Sequence, residues 1–179
     1  MIRQFLCSFI LFVWLCLSAP LMAQTQVKWV KMSKALEQAE TQKKKIFIDL
    51  YTDWCSWCKK MDVATFQKPD IAEYVNANFI PVKFNAEHRG EITYQDQAFD
   101  FVKYGKRGYH QLAAELSKSL GRLSFPTIIF LDENQNVIQP IPGFQDPKSF
   151  EVIMHYMGED HFRTTPFKAF SANFSGKYN

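Results

Sequence analysis

Cysteine is scarce in this chain. Of the four in its 179 residues, Cys7 and Cys16 lie in the leading segment, so only Cys55 and Cys58 remain for everything after it. A small secreted domain held together by disulfides would spread several through its length, and that architecture is excluded. Charge of one sign is scarce too. Lys and Arg total 21 against 18 Asp and Glu, a net +3 that includes Arg3, and the signs are interspersed apart from Lys43-Lys44-Lys45. Such a balance builds no nucleic-acid surface, and no nucleic-acid partner is expected. No internal repeat is visible, which excludes a repeat array. Long apolar runs are missing except at the start, where Arg3 precedes the nearly all-apolar Phe5 to Leu17. Pro20-Leu21-Met22-Ala23 then leads into the polar Gln24-Thr25-Gln26. That order reads as a secretory signal over residues 1–23, cut at Ala23/Gln24. An uncleaved anchor competes, because the apolar run approaches the ~18-residue lower limit for spanning a membrane.

The chain from Gln24 to Asn179 suits one domain, on a rough prior of ~150 residues. Val27-Lys28-Trp29-Val30 alternates like an edge strand, and Ser33 is placed to cap a helix reaching Lys43. Ile46 to Leu50 is a short apolar run suited to a strand buried on both faces. A helix is expected from Cys55, and another from Pro69, where the missing N–H is harmless. Phe79 to Phe84 returns as a strand. Tyr94 to Tyr104 and Tyr109 to Leu120 both read as helices, divided by Gly105-Lys106-Arg107-Gly108, and Gly121 stops the second. Thr127 to Leu131 and Val137 to Ile141 suit a hairpin, and Pro147 opens a last helix. The fold class is therefore α/β, one mixed sheet flanked by helices, with a helical insertion before Pro126. The domain is expected over 24–160, followed by an aromatic-rich tail over 161–179 that lies at least partly against it or a partner.

The decisive stretch is Asp53-Trp54-Cys55-Ser56-Trp57-Cys58-Lys59-Lys60. Its two cysteines fit a metal clamp, an inert disulfide or a redox couple. A structural zinc site needs four ligands, and the available pair, His155 and His161, lies far along the chain at the end of an ordinary amphipathic helix. A disulfide closing so small a loop constrains the unfolded chain weakly. A thiolate at a helix N-terminus is stabilised by free N–H groups and the helix dipole, which lowers its pKa. By position as well as spacing the pair reads as redox-active, with Cys55 the exposed nucleophile and Cys58, one turn further in, the resolving thiol.

Trp54 to Lys59 after a buried strand, together with Phe125-Pro126-Thr127, resembles the thioredoxin superfamily. Within it, Asp49 to Cys55 with Cys58-Lys59 and the following Thr65-Phe66 is similar to the C-terminal thioredoxin-like domain of DsbD-type interchange proteins. The resemblance implies a cis-proline at Pro126 facing the active-site disulfide, and a buried acid at Asp49 whose pKa is raised by desolvation so that it relays the Cys58 proton. It also implies a second acid at Asp62. Trp54 is expected to pack beside the disulfide, and Trp57 to be partly exposed and meet a partner. Phe125 and Thr127 are expected to contact substrate, and Lys59 to modulate the field of the site. The implied function is an exported, periplasmic thiol:disulfide oxidoreductase, a reductase rather than an oxidant. It would have no cofactor beyond its own Cys55–Cys58 disulfide, and would meet protein disulfide substrates and a protein electron donor. The alternative is a thioredoxin-like interaction module with little turnover.

Overall fold

The computed structural model describes residues 25–178. The expected signal segment therefore lies outside the described residues. The chain enters as α1 (Met32–Gln42), β1 (Ile46–Tyr51), α2 (Ser56–Met61) and α3 (Pro69–Asn78), with π-helical turns over Asp62–Phe66 joining the last two. Next come β2 (Ile80–Asn85) and four short strands, β3 (Ile92–Tyr94), β4 (Gln97–Phe99), β5 (Phe101–Tyr104) and β6 (Arg107–His110). It then runs through α4 (Gln111–Leu116), β7 (Thr127–Leu131), β8 (Val137–Pro142), α5 (Pro147–Gly158) and α6 (Phe167–Asn173).

The central sheet has the order β2-β1-β7-β8. β1 runs parallel to β2 and antiparallel to β7, and β8 returns antiparallel to β7. β1 is covered on both faces. Ile46, Ile48 and Leu50 pack with α1, α4 and the Ile92–Phe99 segment, while Phe47 packs with Met61, Phe66, Ile71, Phe130 and Phe150 on the other side. This two-sided burial explains why the run reads as continuously apolar rather than alternating. Asp49 shares the Phe47 face, since side chains two apart on a strand point the same way.

Three sequence expectations need correction. Tyr94 to Tyr104 is not a helix, and the insertion is built mainly of two antiparallel hairpins, β3–β4 and β5–β6, with α4 its helical part. The turn residues Gln95 and Asp96 both have positive φ, 49° and 60°. Those values are the signature of a two-residue type I′ hairpin turn. Val27 to Val30 makes only one bridge, Val30 to Val82, rather than an edge strand. Ser33 lies inside α1, whose N-cap is Lys31 without a side-chain bond.

The tail folds back on α5. Phe162, Phe170 and Tyr178 pack against the Phe47 core, and the Glu151 carboxylate accepts the Lys177 and Tyr178 backbone N–H groups at 2.7 and 3.0 Å.

Candidate active site

Cys55 and Cys58 form a disulfide at the carboxyl end of β1, with Cα atoms 5.3 Å apart. Cys55 is the N-cap of α2, and its Sγ accepts the Cys58 backbone N–H at 3.0 Å. A second bond, from the Cys55 N–H to Thr52 O at 3.1 Å, tightens the loop before it. The disulfide encloses both cysteines. Cys55 is 5 % exposed and Cys58 2 %, so both are buried in the disulfide state and Cys55 is far less open than the expected exposed nucleophile.

A charged cluster is drawn from β1, β2 and the turn just past α2. Register sets Asp49 of β1 beside Lys83 of β2. Lys83 Nζ donates to Asp49 Oδ2 at 2.7 Å and also binds the Asp62 carboxylate just past α2. Asp49 is fully buried. Its burial pushes the carboxyl up to about 6, against the opposing pull of Lys83. Burial also disfavours the Lys83 ammonium, but the two carboxylates outweigh it and hold its pKa above the ordinary value. Among the described residues, Asp49 Oδ1 and Thr52 Oγ1 are the buried side-chain oxygens without a hydrogen-bond partner. A desolvated carboxylate with one free oxygen is equipped to take a proton.

The rim is aromatic and cationic. Trp54 is 52 % exposed; its ring meets Phe125 edge-on at 5.8 Å, and its indole N–H donates to Glu87 at 3.2 Å. The Arg107 guanidinium stands 4.8 Å from the Trp54 ring. Trp57, 51 % exposed, lies against Phe144 at 5.6 Å, with the Lys60 ammonium 4.6 Å from its ring. The Phe125–Pro126 peptide is cis, and Pro126 O accepts the Gly143 N–H, which ties the proline loop to the end of β8. Lys59 is exposed on α2. Thr127 is fully buried and its hydroxyl donates to Ser124 O at 2.8 Å, so that group serves the loop rather than the surface.

The family model of the thioredoxin-like domain matches residues 32–158. The chain belongs to that family. Thioredoxin-like domains work through their own cysteine pair, without a cofactor. The chain is 28% identical to the thiol:disulfide interchange protein DsbD of Cronobacter sakazakii over 127 residues, 69% of this chain and 18% of that protein. Against DsbD of Escherichia coli K12 it is 31% identical over 129 residues, covering 70% and 19%. The chain thus spans less than a fifth of these relatives' length. Among solved structures, a thioredoxin-fold protein from Helicobacter pylori superposes with a TM-score of 0.55 at 15% identity, over 78% of this chain and 96% of that one.

Within this thioredoxin-like domain, Trp54 pairs with Phe125 and Trp57 with Phe144. Asp49 and Asp62 meet through Lys83, a residue the sequence reading did not single out. Its signal was available, since Lys83 is the lone charge in the buried strand Ile80 to Phe84. Among the described residues, no cluster of three or more His, Cys, Asp or Glu is arranged to hold a metal. His155 and His161 both turn to Glu159, at 2.6 and 3.3 Å. No helix of the described residues is long and apolar enough to cross a membrane.

Proposed function

We propose that the chain is an exported thiol:disulfide oxidoreductase that reduces protein disulfides through Cys55 and Cys58. The carrying observation is the disulfide at the N-cap of α2, with Cys55 Sγ accepting the Cys58 N–H. In the reduced protein the same N–H would stabilise a Cys55 thiolate. That thiolate attacks one sulfur of the substrate disulfide, forming a mixed disulfide and releasing the other substrate sulfur as a thiolate, which takes a proton from water. Cys58 then gives its proton to Asp49 and attacks Cys55 Sγ. The Cys55–Cys58 bond forms and the second substrate thiolate leaves and is protonated, so two electrons pass to the substrate. A protein dithiol, acting as electron donor, restores the reduced pair by the reverse exchange.

Several features support the other assignments. The edge-on contact of Trp54 with Phe125, next to the cis Phe125–Pro126 peptide, supports a role for these three residues in holding a substrate strand, and the exposed Trp57 ring supports one in meeting a partner. Lys59 and Asp62 tune the field of the pair. The leading Arg3 and apolar Phe5 to Leu17, with the likeness to interchange proteins, support export to the periplasm.

Trapping tests this reading. Cys58→Ser leaves the mixed disulfide without its resolving thiol, so expression in the export compartment should yield adducts on a non-reducing gel that reductant dissolves. Cys55→Ser should yield none. Adducts from Cys55→Ser alone would reverse the roles, and none from either variant would favour an interaction module. For the direction, a reductase needs a couple near the thioredoxin value of about −270 mV, whereas one near the DsbA value of about −120 mV would make it an oxidant.

A further inference from the structure

The exchange steps make no use of the β5–β6 hairpin, yet its packing holds it beside the cysteine helix. Its base is fixed. The His110 N–H donates to Ala86 O at 2.7 Å, and the fully buried His110 ring accepts the Leu112 N–H at the start of α4 and contacts Gly90 O. Phe101 lies under the Arg89 guanidinium at 4.5 Å. The turn is tight: Tyr104 pairs with Arg107, and Gly105 takes φ 60° at the first central position. The tip is open, with Tyr104 80 % exposed.

This hairpin carries one sign of charge. Between Phe101 and His110 stand Lys103, Lys106 and Arg107 and no Asp or Glu. Among the described residues none of these three cations joins an ion pair with an acidic side chain. Arg107 instead lies on Trp54, the residue before Cys55, and so carries the basic strip to the site. Lys59 and Lys60 are two further exposed cations on α2, Lys60 lying over the Trp57 and Phe144 rings. The nearby acids bind neutral donors and keep their charge without pairing with these cations: Glu87 accepts the Trp54 indole N–H, Asp53 accepts an Asn85 amide N–H, and Asp100 accepts the Phe101 N–H.

We propose that the β5–β6 tip is a docking arm for protein segments whose disulfide is flanked by carboxylates. The inference rests on the disulfide-exchange reading and adds a substrate class to it. An acidic segment crossing from the cysteines toward the tip would meet Arg107 and the Tyr104 ring on one face of the hairpin, then Lys106 in the turn, while Lys103, paired with Gly108 on the opposite face, adds to the field of the arm. Charges at a rim act chiefly on encounter rate and selectivity, and salt weakens them.

The test uses two synthetic peptides sharing one intramolecular disulfide, flanked by Glu in one and by Lys in the other. Each is mixed with pre-reduced full-length protein in a single turnover. At low ionic strength the Glu peptide should react faster by about tenfold, and the two rates should converge as salt is raised. Lys103→Glu combined with Lys106→Glu should invert the order. Equal rates in the native protein, or a preference that this double variant leaves intact, would overturn the docking arm while keeping disulfide exchange. If neither peptide is reduced, the exchange reading fails and the arm with it. Binding to phosphatidylglycerol vesicles without any peptide preference would assign the tip to a membrane surface and overturn the proposal as well.

Discussion

Asp49 is a carboxylate that the fold holds more readily protonated than the unfolded chain does. It is wholly buried, and its one ionic partner, Lys83, is shared with Asp62. Burial lifts its pKa to about 6, against roughly 3.9 for a free aspartate. Between those values the native protein binds more protons than the unfolded chain, so stability falls as pH rises through the window. The full stabilisation is present below about pH 4 and lost above about pH 6; two units correspond to about 3 kcal/mol. Asp49→Asn keeps the shape and removes the titration, with Lys83 still held by Asp62. Its stability relative to the native protein should therefore improve by about 3 kcal/mol between pH 4 and pH 7, read from denaturant unfolding at both. A pH-independent difference would show that Asp49 does not titrate in this range. The same variant should slow the Cys58 resolving step above pH 6 by about 100-fold, as expected for loss of a general base.

At the scale of elements, the β5–β6 hairpin depends on a glycine that no turn requires. A Cβ at Gly108 would collide with the Phe101 ring and with Val102 O. Gly108→Ala must push Phe101 out from under Arg89, at a cost of about 1–3 kcal/mol by the usual penalty for overpacking. The β5 and β6 amides should lose hydrogen-exchange protection while those of α2 keep theirs. Unchanged protection would mean that Phe101 does not anchor the hairpin. This element also marks where the sequence stops being legible. Trp54, Cys55, Trp57 and Cys58 occupy one contiguous stretch after a two-sided apolar run, so local pattern locates both the helix and its sulfurs. Asp49 is visible for the same reason, as a charge within Ile46 to Tyr51. Lys83 carries an equal signal, but only the register with Asp49 gives it meaning. Arg107 and Phe144 reach the rim through a hairpin and a loop, which no local pattern reports. The aromatics from Tyr94 to Tyr104 imitate helical spacing, and the turn Gln95-Asp96 lacks the Asn-Gly or Asp-Gly that announces type I′. Likewise Gly105 to Gly108 reads as a break between helices, when it is a turn leading into β6.

Across the whole molecule, the last residues close a surface that the central domain leaves open. Tyr156 of α5 meets the Phe167 and Phe170 rings at 5.1 and 5.2 Å, and its hydroxyl donates to Thr165 O at 2.6 Å. The far end is clasped by two carboxylates. Glu151, 5 % exposed, receives the Lys177 and Tyr178 N–H groups, while Asp70 of α3 accepts the Tyr178 hydroxyl at 2.8 Å. The tail therefore joins α3 to α5, on the Phe47 side of the sheet. Removing Glu151 alone strands two backbone donors, which should cost about 1–3 kcal/mol. Deleting residues 174–179 alone strands Glu151 as a buried carboxylate without those donors, with a comparable loss. Making both changes leaves neither partner unpaired, so Glu151→Ala in the shortened chain should destabilise it by less than the sum of the two single effects. The coupling, about 1–2 kcal/mol, is read from denaturant unfolding of the four proteins of the double-mutant cycle. Strict additivity would mean that Glu151 and the tail do not interact in solution.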